Sequence, residues 1–450
     1  MKKTIDMING DPLKNLLLFS VPVFLGNLFQ QLYNMADTVI VGRFLGEDAL
    51  AAVGATGSIV FLVIGFTFGL TEGFSVLVAQ AVGARLQNDL RKLVASAMLL
   101  TLIISAIFTL PTVLFCRQIL VAMDTPENIL ADSDGYLRII FAGILCTMAY
   151  NVAASILRAM GDSRTPLYFL ILSSLLNIVL DIVLIVYGNM GVAGVAVATV
   201  LSQGICAVLC FAFMLHAYPY LRPTRADFRP DFRQLTRMLR TGIPMAVNQS
   251  IIAAGVMIVQ VGINGFGSTV VAAFATASKI ENLAVQPMGA LSVAISTFCG
   301  QNYGAQRFDR IYRGVRQSML IGTVIGILGI GFYYLAADQM IRLFVSDPSP
   351  ELMDYARKYL FTAVWFLPPL AWIFLLRNAL VGLGNGTVSL LGGILELVCR
   401  ILCIRFLLPV AGFWCVRLVN PITWTATGIL FAVLYLRWER QRKKLAPVRH

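Results

Sequence analysis

Long apolar runs dominate the chain and predict membrane-spanning helices. A helix needs about 20 apolar residues to cross the hydrocarbon core of a bilayer, and uncharged stretches of that order recur along the chain. These stretches are 15–36, 49–71, 93–116, 139–157, 182–221, 241–278, 282–306, 317–337, 359–376, 378–395 and 418–436. The two longest stretches divide at turn residues, near Gly188–Gly191 and Asn264–Gly267. A further span near 389–408 contains Glu396, Arg400 and Arg405 and brings the total to about twelve. Strands are not expected, because the runs are continuous and do not alternate.

Composition supports a membrane protein and excludes several soluble classes. Of the 450 residues, 58% are hydrophobic and only 13% are charged. A soluble protein needs roughly 25% charged residues. The sequence is therefore incompatible with a soluble enzyme, a nucleic-acid-binding module or a disordered chain. The eight cysteines form no CxxC pair and are interpreted as packing residues.

The distribution of cations predicts the orientation in the membrane. With the N-terminus inside, 25 of the 35 Lys and Arg residues fall in cytoplasmic segments, 7 in outer segments and 3 within spans. Cytoplasmic loops of membrane proteins carry such an excess of cations. The cytoplasmic set includes Lys2 and Lys3, in a tail interpreted as retained because no cleavage site follows it, and Arg449. We therefore expect a multi-pass protein of the plasma (inner) membrane with both termini in the cytoplasm.

The two halves of the chain resemble each other at an offset of 221 to 223 residues. The matched positions are Pro22 with Pro244, Gln80 with Gln301, Tyr136 with Tyr359, and Gly161 with Gly384. A duplicated unit with an even number of helices predicts two six-helix bundles related by a pseudo-twofold axis along the membrane normal. The predicted fold is an all-α polytopic membrane protein with these bundles around a central cleft. The predicted bundles are 1–217 and 241–450, and 218–240 is a cytoplasmic linker.

Three motifs resemble the multidrug and toxic compound extrusion (MATE) family. They are Gln30–Thr38 with Val41–Gly46, Ile156–Pro166, and Asn177–Asp181 with Gly191–Gly194 and Ala198–Thr199. The resemblance covers essentially the whole chain, including the repeat. It implies cation-coupled export of amphipathic, often cationic, organic compounds by alternating access.

Polar residues inside the first-bundle spans are candidates for cation coupling. A charged residue costs at least about 2.5 kcal/mol at a helix centre, so acids within spans are rarely incidental. Asp37, Asp181 and Thr199 lie at similar predicted depths below the outer surface, and Asn177 is one turn deeper than Asp181. Their oxygens would suit Na⁺, with Asp37, Asn177 and Asp181 as possible ligands, or a proton shared by the carboxyl groups. Asn151 on the fourth span is a further candidate, since it matches a polar position of the family.

Each of these residues also has a structural interpretation. Asp37 could be a solvated acid at a helix end, Asp181 and Asn177 could form a buried hydrogen bond, and Thr199 could bond to its own backbone. The second bundle is less informative. Glu396 and Arg400, four residues apart, are interpreted as a structural ion pair, whereas Lys279 and Glu281 do not share a helix face. Some family members carry an acid in the seventh helix, but Met245–Gly265 contains none, which places coupling in the first bundle.

The expected function is a secondary antiporter that exports organic cations in exchange for inward Na⁺ or H⁺. Candidate contacts for the exported compound in the cleft are Gln31, Tyr33, Gln249 and Gln260. The alternative is a lipid-linked oligosaccharide flippase of the same superfamily, which Arg400 and Lys279 keep open. An intramembrane enzyme is not expected, because the chain has no DDxxD cluster and only two histidines. A P-loop is also absent. We expect a monomer in the lipid bilayer, with no nucleic-acid partner and no cofactor besides the coupling ion.

Overall fold

The chain folds into helices joined by short turns, with no strand among the residues described. The computed structural model describes residues 4–345 and 347–445. Within them, ten helices are long and apolar enough to cross a membrane, or eleven if the bent pair Glu127–Ala142 and Ile144–Ala159 is one crossing. A further helical segment, 387–411, lies where the charged span near 389–408 was predicted. Lys2, Lys3 and Arg449, which were used to predict the orientation, lie outside the described residues.

The first half of the chain contains eight α-helices. They are α1 (Pro12–Phe44), α2 (Glu47–Gly83), α3 (Gln87–Leu114), α4 (Cys116–Ala122), α5 (Glu127–Ala142), α6 (Ile144–Ala159), α7 (Arg164–Ile182) and α8 (Gly191–Ala217). The second half contains α9 (Phe232–Asn264), α10 (Ser268–Gly304), α11 (Phe308–Phe344), α12 (Pro350–Ala363), α13 (Leu367–Gly382), α14 (Thr387–Leu402), α15 (Leu408–Ala411) and α16 (Phe413–Leu445).

The predicted helix boundaries are partly right. The two longest stretches divide where expected, because α8 begins at Gly191 and α10 at Ser268. The stretch 378–395 is not one helix, since α13 ends at Gly382 and a turn precedes α14. Conversely, α10 continues through the charged pair that separated 241–278 from 282–306. A charge does not end a helix when its side chain finds a partner, as Glu281 does in Tyr359.

The repeat is visible in the backbone as well as in the sequence. Residues with positive φ recur at offsets of 221 to 223 residues, in the pairs Gly46/Gly267, Arg85/Gln306, Gly161/Gly384 and Gly191/Gly412. A π-helical turn follows α7 at Val183–Tyr187 and α14 at Cys403–Leu407. Positive φ is uncommon for residues other than glycine, so the match of Arg85 with Gln306, beside three pairs of glycines that tolerate this conformation, indicates that the same turns were duplicated.

Contacts divide the chain into two compact units that differ from the predicted bundle boundaries. The first unit comprises 4–6 and Val21–Ala246, and the second comprises Met7–Ser20 and 247–445. The chain changes units three times, before α1 between residues 6 and 7 and then twice inside a helix, next to Pro22 in α1 and close to Pro244 in α9. Proline removes a backbone hydrogen bond, so each helix changes units where its backbone is least constrained.

The segment predicted as the linker belongs to the first unit. Residues 218–240 form two short 3₁₀ turns, Pro219–Leu221 and Arg225–Phe228, and then enter α9 at Phe232. Asp227 accepts hydrogen bonds from the hydroxyl and the backbone N–H of Thr224, and these bonds lower the pKa of Asp227. Asp227 also pairs with Arg91 of α3 at 3.8 Å, so the linker is anchored to the helix beside it.

Two glycines of α2 allow a close approach by α9 within the first unit. A Cβ atom added at Gly69 would lie 2.7 Å from the Cα of Ala246, and one added at Gly73 would overlap the backbone of Gly242. Small residues at such contacts let two helix backbones pack directly against each other.

We predict that Gly73→Ala destabilises the protein by about 1–3 kcal/mol, because backbone must move to admit the methyl group. The matched control is Gly54→Ala in the same helix, where an added Cβ meets nothing within 4 Å. The control should be neutral or slightly stabilising. Thermal unfolding of both variants in detergent measures the difference, and equal melting temperatures would contradict the close packing.

Candidate functional site

Three helices of the first unit bring the predicted coupling residues together. Asp37 lies seven residues before the end of α1 at Phe44, and Asp181 lies six residues before the end of the π turn at Tyr187. Thr199 lies eight residues after the start of α8 at Gly191. These spacings correspond to similar depths, about 9–12 Å from the helix ends at 1.5 Å per residue.

The side chains on these helices are linked by hydrogen bonds. The amide of Asn177 donates from Nδ2 to the hydroxyl oxygen of Thr199 at 3.3 Å. The hydroxyl of Tyr33, one turn before Asp37 in α1, is also hydrogen-bonded to Thr199. Asn177 and Asp181 are almost completely buried, with 1% and 0% of their surface exposed.

The carboxyl groups of Asp37 and Asp181 form the centre of the cluster. They lie within hydrogen-bonding reach of each other. Ionised carboxylates can only accept hydrogen bonds, so this contact requires a proton on one of them or a cation between them. In addition, Oδ1 of Asp37 is buried and has no hydrogen-bond partner among the described residues. The cluster therefore offers carboxyl oxygens that a proton or a small cation could occupy.

Tyr136 of α5 is a member of the cluster that the sequence did not assign to it. Its ring interacts electrostatically with Asp37, Asp181 and Tyr33, and only 8% of its surface is exposed. The available signal was the repeat, since Tyr136 matches Tyr359 and both tyrosines lie beside buried acids. Tyr33, predicted to contact the exported compound, lies in the same cluster.

Apolar side chains enclose one side of this site. Tyr136 belongs to a hydrophobic core that includes Val41, Phe141 and Val195. Each of these three apolar side chains is at most 1% exposed. This core holds α1, α5 and α8 against one another and limits access of water. A low-dielectric wall makes the ionised carboxyl pair costly without a cation.

The remaining predicted site residues are not joined to the cluster by any hydrogen bond among the described residues, and their roles stay predictions. Asn151 of α6 is part of the first unit, but no hydrogen bond among the described residues joins it to the cluster. Gln31 is exposed on α1. Gln249 and Gln260 belong to the second unit, eleven positions apart on one face of α9, and Gln260 donates to Asn264 at 2.9 Å.

A second polar network lies in the second unit. Glu281 of α10 is hydrogen-bonded to the hydroxyl of Tyr359 at 2.6 Å, and Asn420 of α16 donates to the same oxygen at 2.9 Å. Lys279 is exposed, and no ion pair joins it to Glu281 among the described residues. Glu396 and Arg400 form the expected ion pair, but Nη2 and Oε2 are 3.9 Å apart, which is too long for a hydrogen bond.

The first unit also contains an ion pair that the sequence analysis missed. Glu72 of α2 and Arg158 of α6 meet at 2.7 Å, and about one sixth of each side chain is exposed (15% and 17%). Glu72 directly follows an uncharged stretch, so the charge pattern suggested a helix end there. The helix instead continues to Gly83, which places Glu72 inside it.

The donor set at the first-unit cluster contains only two acids. Among the described residues, no group of three or more His, Cys, Asp or Glu side chains is arranged to hold a metal ion. Two carboxyl groups, one amide and hydroxyl groups remain suitable for a weakly bound, exchangeable Na⁺ or for a proton.

Comparison with known proteins gives consistent matches over both halves. The MatE family model matches residues 22–183 and 244–404, one match on each repeat. The "Probable multidrug resistance protein YoeA" of Bacillus subtilis is 30% identical over 359 residues, covering 78% of this chain and 77% of that protein. The "FAD transporter" of Shewanella oneidensis is 22% identical and covers 92% of both chains. A crystal structure of a MATE protein in the bent conformation superimposes with a TM-score of 0.91 at 26% identity, covering 99% of both chains.

A shared proton at the carboxyl pair predicts reaction with a hydrophobic carbodiimide, which modifies protonated carboxyl groups in apolar surroundings. At neutral pH we expect modification of Asp37 or Asp181, detected by mass spectrometry of peptides, but not of the exposed Asp48. Added Na⁺ should protect the pair if the cation takes the place of the proton. Equal modification of Asp48 and the pair would contradict the proposed environment.

Proposed function

The chain belongs to the MatE family, and we propose that it is a secondary antiporter that exports amphipathic organic cations in exchange for inward Na⁺ or H⁺. Named relatives are multidrug resistance proteins and transporters, not enzymes. The contact between Asp37 and Asp181 is the observation that carries the coupling proposal, because it requires a small cation or proton.

Coupling follows from the free energy that the site costs when it holds neither a proton nor a cation. With no proton or cation, the pair places two negative charges side by side against an apolar core, which is unfavourable in a low dielectric. The empty state is then favoured only where the carboxyl groups are wetted. Loading and emptying therefore favour different conformations of the helices that carry the site, which is the requirement for alternating access.

Helix α1 provides a mechanical route from the site to the rest of the protein. It carries Asp37 and Tyr33 near one end and Pro22 in its other half, where its contacts change from the second unit to the first. Bending at Pro22 would move Asp37 relative to Asp181 without unfolding either helix. A static packing kink at Pro22 is the alternative, and it would leave the carboxyl contact unchanged in all conformations.

The proposed orientation places both termini in the cytoplasm of a cell with this protein in its plasma membrane. The Arg-rich tail of α16, with Arg442, Lys443 and Lys444 in its last turn, supports a cytoplasmic C-terminus. Green fluorescent protein fused to the C-terminus should fluoresce, since it folds in the cytoplasm and not after export through the general secretion pathway. Alkaline phosphatase activity from the matched fusion would contradict this orientation.

We predict that Asp37→Asn and Asp181→Asn each reduce ion-driven transport of a fluorescent organic cation to the level of protein-free liposomes. The amide has nearly the shape of the acid but cannot bind or release the coupling proton, and it weakens Na⁺ binding by one charge. The measurement is uptake into proteoliposomes with an imposed pH or Na⁺ gradient, and the gradient that drives the wild type identifies the ion.

The matched control is Asp48→Asn, an exposed acid at the start of α2. It should transport like the wild type, and Asp37→Asn and Asp181→Asn should have wild-type melting temperatures or higher, because each removes a charge from the cluster without removing volume. Full transport by both Asp37→Asn and Asp181→Asn would rule out the first-unit site as the coupling site.

A further inference from the structure

We propose that Arg400, in the second unit, binds the carboxylate or another oxyanion of an exported compound. The proposal rests on the proposed export function and extends its substrates from cations to zwitterions. Arg400 lies in α14, inside the charged segment 387–411. Only 7% of the residue is exposed, so its charge is held almost entirely within protein.

The guanidinium of Arg400 makes few hydrogen bonds for a buried group. A guanidinium has five N–H donors, and buried donors are normally paired. The nearest acceptors are the carbonyl oxygen of Ile252, 3.5 Å from Nη1, and Oε2 of Glu396, 3.9 Å from Nη2. Nε is buried and has no hydrogen-bond partner among the described residues. Most N–H donors of the Arg400 guanidinium therefore have no hydrogen-bond acceptor among the described residues.

The acids of the second unit do not supply the missing partners. Glu281 interacts electrostatically with Arg400 but is hydrogen-bonded to Tyr359 at 2.6 Å. The carboxylate of Glu396 interacts electrostatically with both Arg400 and Arg377. It lies beyond hydrogen-bonding distance of Arg400. A purely structural ion pair would close to about 2.7–2.9 Å, since a charge-assisted bond is strongest there.

Gly255 of α9 makes room for this arrangement. A Cβ atom added at Gly255 would lie 2.5 Å from Nη1 and 3.1 Å from Cδ of Arg400. The absence of a side chain at position 255 thus lets the guanidinium lie against the α9 backbone. Substitution of this glycine offers a way to displace the guanidinium while its charge is kept.

A guanidinium selects a planar oxyanion over other ligands. Its fork of N–H groups matches the two oxygens of a carboxylate or phosphate, and its positive charge repels a coupling cation. Because the site is nearly closed to water, a bound oxyanion would be attracted more strongly than at the surface. The expected ligand is a compound that combines an organic cation with a carboxylate.

A matched pair of dyes tests the proposal: a cationic rhodamine with a free carboxylate and its methyl ester, which differ only in the anionic group. In proteoliposomes of phosphatidylcholine we expect the wild type to transport both. Arg400→Gln should lower uptake of the acid at least about tenfold relative to the ester, the effect of losing one charge-assisted hydrogen bond. Gly255→Ala should shift the ratio in the same direction.

Two controls accompany these variants. Arg405→Gln removes an exposed charge from the same segment, and Gly331→Ala adds a Cβ that meets nothing within 4 Å. Both should keep the wild-type ratio of acid to ester uptake. Gly255→Ala keeps the proposal testable if Arg400→Gln does not fold, because it leaves every charge in place.

Several outcomes would overturn the proposal. Equal losses for acid and ester in both variants would make Arg400 a structural residue. A wild type that transports the ester but not the acid would refute the oxyanion site while leaving the export proposal intact. A last experiment adds phosphatidylglycerol to the liposomes. If this lipid abolishes uptake of the acid by the wild type while uptake of the ester stays constant, Arg400 binds a lipid phosphate and not the substrate.

Discussion

The cost of a charge in a low-dielectric environment governs how this chain is organised. By the predicted spans, most cations lie in segments between them, and several acids inside the helices have polar partners. Asp37 and Asp181 illustrate the rule most clearly, since two carboxyl groups in contact beside an apolar core are stable only with a proton or cation. Glu72 and Arg158 satisfy the same requirement by forming a close ion pair. We propose that the Asp37–Asp181 cluster differs because its counter-charge, a proton or a cation, can leave.

Duplication gave each unit the same turns but allowed different chemistry. The positive-φ residues and the π turns recur at matched positions, so the two backbones follow one plan. Tyr136 and Tyr359 are matched as well, and each lies beside a buried acid. The first unit surrounds its tyrosine with two acids and an amide, whereas the second combines acids with Arg400. We infer that the first cluster serves a cation and that the second recognises an anionic group.

Sequence reasoning was strongest where one physical effect acts alone. Hydrophobic length predicted the spans, and Gly188–Gly191 and Asn264–Gly267 marked true breaks. It was weaker where a side-chain partner changes the outcome. The charges of Lys279 and Glu281 predict a helix boundary at a point where α10 is continuous. The uncharged stretch 378–395 predicts one span, although a glycine turn follows α13 within it. The predicted linker also failed to mark the division, because the contact units change inside α1 and α9.

The sequence by itself determined the lipid environment of this protein, its helical class, its long apolar spans, its repeat and the residues Asp37, Asn177, Asp181 and Thr199 as a candidate set. Those features depend on composition and on spacing along one helix. Only the tertiary structure decided that Asp37 and Asp181 lie within hydrogen-bonding reach, that Tyr33 and Tyr136 lie beside them, and that Nε of Arg400 has no hydrogen-bond partner among the described residues. Such contacts depend on how separate helices rotate and pack, and a linear pattern does not encode those rotations explicitly.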